Sequence, residues 1–67
     1  MLEFAKGDAV TVEHLGRVTR GRVTVASPWI VIVQAERGQI MHIRFDAALN
    51  DWTVGGTRAK ITKEAAV

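Results

Sequence analysis

The chain has 67 residues, no cysteine, and nine basic against seven acidic side chains, for a net charge of +2 at pH 7. That length makes one domain with a thin core, since chains of about 60 residues bury only ~60% of their unfolded surface. Without cysteine there is no disulfide staple, thiolate metal site or cysteine nucleophile, and the longest apolar run, Trp29 to Val33, is far too short to span a bilayer. The early acid Glu3 and the lack of a long apolar run after Met1 argue against a signal peptide. A cytoplasmic protein is expected.

The spacing predicts short strands separated by glycine turns. Lys6-Gly7-Asp8 leads into a first strand, Ala9 to Glu13, in which Val10 and Val12 share one face. His14-Leu15-Gly16 reads as a loop. The second strand, Arg17 to Val25, holds Val18 in phase with Arg20 and Arg22 but out of phase with Val23 and Val25. A bulge at Gly21 is expected, which would turn both Val18 and Val23 inward. Ala26-Ser27-Pro28 is a turn, and Pro28, lacking an N–H, marks the start of a third strand, Trp29 to Gln34.

In that third strand Trp29, Val31 and Val33 form one row and Ile30 and Ile32 the other, so both faces are apolar. Glu36-Arg37-Gly38 predicts a hairpin turn into a fourth strand, Gln39 to Phe45. There Met41, Ile43 and Phe45 face one way and Ile40, His42 and Arg44 the other. Asp46 to Asn50 reads as a single helical turn, capped by Asp46 and ended by Asn50. Asp51 to Val54, a Gly55-Gly56 turn and a last strand, Thr57 to Thr62, follow. Ala59 and Ile61 point in there, and Arg58, Lys60 and Thr62 point out. Residues 63–67 are expected to fray.

These elements predict an all-β fold: a single small five-stranded barrel spanning residues 1–67, with one short helical turn before the last strand. Their order resembles the Src-homology-3-like barrel. Within it, Gly7-Asp8, Val10, Val12, Gly16, Arg20-Gly21 and Val23 resemble the KOW motif of ribosomal proteins and transcription elongation factors, over about a third of the chain. The loop after Val12 is shorter than in that motif. In size and layout the chain also resembles small accessory proteins of phages and plasmids.

The KOW resemblance implies nucleic-acid binding, and the cations fit it. Arg17, Arg20 and Arg22 have no acid among them, and Arg44, Arg58 and Lys60 extend the candidate track. Clustered cations suit phosphates or an acidic protein, and equally keep the outer face of a small β protein soluble. The alternative reading is a protein-interaction regulator or inhibitor of mobile-element origin. Ile30, Ile32 and Ile40 would form its apolar centre, with His42 and Trp52 beside them, binding another protein or a second copy of the chain. The plain counter-reading is that the Trp52 hairpin, or Leu2 and Phe4, covers that row.

Trp29 reads as a core filler, while Trp52 stays open between core and surface. His14 and His42, in separate elements, are too few for a zinc site. Ser27 lies in a turn before Pro28, without a strand-to-helix elbow. Gly55-Gly56 lacks the lysine and helix of a phosphate loop. Gln39-Ile40-Met41 is only faintly similar to the active-site strand of plasmid type II dihydrofolate reductases, and tyrosine is absent. No catalytic constellation, metal or cofactor is expected.

Overall fold

Alternating apolar residues and two-residue glycine turns produce a closed antiparallel meander. The computed structural model describes residues 4–64. Its strands are β1 (Ala9–His14), β2 (Arg17–Ala26), β3 (Ile30–Ala35), β4 (Ile40–Asp46), β5 (Asp51–Val54) and β6 (Thr57–Lys63). Each pairs with the next, and β6 closes on β1, so the sheet has no free edge along its wall. The protein is a small all-β barrel.

The turns explain the tight connections. His14 pairs with Arg17 across Leu15-Gly16, and Val54 pairs with Thr57 across Gly55-Gly56. All four turn residues have positive φ, which matches the right-handed twist of the flanking strands. Glycine adopts that conformation freely, whereas Leu15 holds it (φ 52°) with a branched side chain.

The inward rows supply the core: Phe4, Val10, Val12, Val23, Val31, Val33, Ile43 and Ala59 are buried together. Fully burying a Val or Ile side chain is worth about 1.5–3 kcal/mol, so this single layer of mostly branched residues is the main stabilising feature. Met41, Trp52, Val54 and Ile61 pack against its rim.

Several expectations need correction. The barrel has six strands, because Asp51–Val54 is a strand of its own. Asp46 ends β4, and Ala47 to Asn50 form a turn and not a helical one. Pairing of Phe45 with Trp52 leaves too few residues between the strands for helical propagation. Asp46 still caps it, accepting the Ala48 and Leu49 N–H groups at 2.9 and 3.3 Å, and Asn50 leaves it at positive φ. His14 belongs to β1, not to the loop.

The bulge is not at Gly21, where register with both neighbours is continuous; it falls between Val23 and Val25. Val18 therefore stays outward and is 61% exposed, and Val25 is turned outward opposite Ile32. Gly21 serves a different purpose. A Cβ there would press on the Gln34 carbonyl oxygen, on Val33 Cγ1 at 2.8 Å and on the Ala35 Cα at 3.0 Å. β2 and β3 approach too closely at this point for any side chain.

Trp29 is not core but 66% exposed. Its phase matches Val31 and Val33, yet β3 begins only at Ile30, so Trp29 stands at the barrel mouth. Residues 63 and 64 do not fray as expected. Lys63 ends β6, and the Glu64 N–H donates to the Ala9 carbonyl at 2.9 Å. Residues 65–67 and Leu2 lie outside the described residues.

Candidate functional site

The six cations singled out from the sequence are all exposed, but they fall on two walls of the barrel. Arg20 and Arg22 share the outer face of β2. Arg17 opposes His14 and so falls in the other phase, at the mouth. A groove nevertheless gathers Arg17 and Arg20 with Arg37 of the β3–β4 turn, whose neighbour Glu36 donates its N–H to the Arg20 carbonyl at 3.1 Å. Sequence reading missed Arg37, since nothing local ties a hairpin tip to a strand start.

Two of these arginines, Arg20 and Arg22, are bonded within the chain. Arg20 Nε donates to Glu64 Oε1 at 2.8 Å, and Thr11 Oγ1 donates to the same oxygen at 3.3 Å. The hydrogen bond from Arg20 pulls the Glu64 carboxyl below its usual range, and the carboxylate in turn raises Arg20 above its ordinary value. Arg22 Nη1 donates to the Gly7 carbonyl at 3.0 Å.

The second wall is different. Arg44 pairs with Thr53 and Thr53 with Arg58, so the two exposed arginines stand on either side of Thr53, which is itself buried. With strands about 4.8 Å apart, their Cα atoms lie roughly 10 Å from each other. Lys60 follows two residues along β6 from Arg58, opposite Glu13. Among the described residues the ion pairs are Arg20–Glu64 and Lys63–Asp8, so none of these three cations is in one. Two carboxylates near this wall accept backbone N–H groups, Asp46 those of its turn and Asp51 that of Trp52 at 2.8 Å, while Glu13 shares the groove of Arg58 and Lys60. Arg58 and Lys60 also line a groove with Leu15, which is 74% exposed at the tip of the β1–β2 turn.

Comparison of the chain with protein-family models, with curated proteins and with solved structures finds no match.

The aromatic side chains form one continuous run from the core to the mouth. Phe4, buried, meets Trp52 at 6.2 Å between ring centroids, edge to face. Trp52 meets Phe45 at 5.5 Å, and Phe45 meets Trp29 at 6.3 Å. Trp52 is thus a half-buried core neighbour and does not join the Ile30 row. Trp29 is the solvent end of the run, one residue before Ile30, the cross-strand partner of Arg44.

The outer face of β2, β3 and β4 is apolar at its centre. Val25 opposes Ile32, and Ile32 opposes His42. Ile30 opposes Arg44, and Gln34 separates Arg22 from Ile40. Ile40 is 63% exposed. Neither described candidate cover lies over this face, because Phe4 and Trp52 both pack on the interior. Among the described residues no helix is long and apolar enough to cross a membrane.

Proposed function

We propose that the protein is a small non-catalytic nucleic-acid-binding module whose contact surface is the β4–β5–β6 wall. The observation that carries this reading is the row of Arg44 and Arg58 on either side of buried Thr53, continued by Lys60, with three exposed cations outside any ion pair among the described residues. Cations already bonded to their own chain must break those bonds to reach a phosphate; these three need not. The resemblance of the first two strands to a KOW motif within a Src-homology-3-like barrel agrees with the reading, although the wall favoured here is not the one that carries the motif. Binding through so few phosphates is weak, largely indifferent to sequence and steeply dependent on salt.

The test is fluorescence anisotropy with labelled 12-nucleotide DNA and RNA between 20 and 200 mM salt. With three phosphate contacts, log K should fall with log salt at a slope of about −2 for single strands. Arg44→Glu with Arg58→Glu should abolish binding, and Arg20→Glu with Arg22→Glu should leave most of it. No binding at the lowest salt would refute the proposal.

A second reading rests on the uncovered Val25, Ile30, Ile32 and Ile40 face. The cations at its edge are Arg22 and Arg44, so a protein partner with apolar anchors and an acidic border complements it better than a second copy would. Ile32→Asp would remove such a partner without changing nucleic-acid binding.

A further inference from the structure

The segment Ser27 to Ile30 holds a large aromatic side chain in water on a hydrogen-bonded turn. Ser27 N–H and Oγ both donate to the Ile30 carbonyl, at 2.9 and 3.1 Å, and the Ile30 N–H donates to Ser27 Oγ at 3.1 Å. Pro28 fixes its own φ inside this four-residue turn. The Trp29 carbonyl accepts the Phe45 N–H at 2.9 Å, which ties the turn to β4. The indole rests against the Phe45 ring at a 51° tilt. Behind Phe45 stand Trp52 and then buried Phe4.

Burial does not account for this arrangement. A tryptophan left two-thirds exposed contributes a small part of the area it could bury, in a chain with little apolar area to spare. What the turn does provide is a flat π surface whose backbone needs no further ordering, so a stacking partner meets a small entropic cost. Arg44 stands across the rim from it: it precedes Phe45 on β4 and opposes Ile30, so its side chain is on the outer face while the indole lies on the Phe45 side. A strand with one base on Trp29 would reach the Arg44 guanidinium by crossing the barrel rim onto the outer face.

We infer that Trp29 is a stacking platform for one unpaired base, so that the ligand is single-stranded nucleic acid running from Trp29 past Arg44 towards Arg58 and Lys60. This rests on the nucleic-acid reading above and adds the strandedness of the ligand and the residue that selects it. Stacking tolerates any base, because each has a π face, and a base held in a duplex cannot lie flat on the ring.

The experiment compares three probes of matched length at low salt: a 12-nucleotide oligothymidylate, an abasic 12-mer of the same charge, and a 12-base-pair duplex. The wild-type protein should bind the oligothymidylate about 10-fold more tightly than the abasic strand, the value expected for one stacked base. Trp29→Ala should erase that difference while leaving affinity for the abasic strand and the duplex unchanged, and Trp29→Phe should restore part of it. Thermal melting of both variants, at an exposed position, confirms that they are folded.

Equal binding of the oligothymidylate and the abasic strand overturns the stacking role and leaves the cationic wall intact. A Trp29→Ala variant that keeps the base preference overturns it too. No binding of any probe removes the underlying reading together with this one. A dimer in sedimentation that Trp29→Ala dissolves, with no probe bound, assigns the indole to a contact between copies instead.

Discussion

Arg20 and Glu64, 44 residues apart in the chain, meet at 2.8 Å across the outer face of β1, with Thr11 donating to the same carboxylate oxygen. The contact joins the middle of β2 to the residue after β6. It locks the end of the chain onto the seam where the barrel closes, and it withdraws one arginine of the most cationic segment from outside partners.

That pair gives the fold an acid-sensitive component. Glu64 is held below its usual range first by the Arg20 hydrogen bond, and Asp8 first by the Ala5 N–H at 2.9 Å. Carboxyls lowered in the folded state contribute stability that is present above their ordinary values and is lost as pH falls through the lowered ones. Melting temperature should therefore decline below the ordinary carboxylate range, and Glu64→Gln should flatten the decline while costing little at pH 2. Parallel pH profiles for the two proteins would contradict this.

Leu15 occupies a left-handed position that asparagine tolerates better. Leu15→Asn should stabilise the fold by about 1 kcal/mol, which raises Tm by roughly 4–8 °C in a domain of this size. An unchanged or lowered Tm would mean that the Leu15 side chain, exposed as it is, makes a stabilising contact.

Gly21→Ala should destabilise by about 1–3 kcal/mol, because backbone atoms of Gln34 and Ala35 stand where the new methyl group must go. Urea unfolding measures it. A neutral result would show that β2 and β3 can separate without loss.

Two adjacent residues of β3 test which row is core. Val33→Thr buries a hydroxyl group and should cost about 1–3 kcal/mol, since Val33 is fully buried. Ile32→Thr, on the half-exposed outer row, should cost less than about 1 kcal/mol. Equal losses would mean that something covers the outer face in solution.

Much of the barrel was legible from local signals. Period-two alternation puts Val10 with Val12, Val31 with Val33, and Ala59 with Ile61 on shared faces, because a strand that loses its phase exposes its whole apolar row. Paired glycines and Leu15-Gly16 announce the tight hairpins, because few residues adopt their backbone conformation. These are properties of single strands and single turns, and the chain states them without reference to its partners.

What only the tertiary structure decided depends on strands meeting other strands. The bulge sits at Val23–Val25 because β2 must stay in register with β1 while it shifts against β3, and that choice sends Val18 and Val25 outward. Trp29 follows the phase of Val31 yet stands in water, because the barrel ends beneath it and Phe45, Trp52 and Phe4 already fill the space. The cations look like one track in sequence, but closure of the sheet carries Arg20 and Arg22 to one wall and Arg44, Arg58 and Lys60 to another. Glu64 then bonds to the first wall. Phase and turn chemistry are local, whereas register, closure and the end of a wall are set by contacts between distant residues, which no single stretch of sequence encodes.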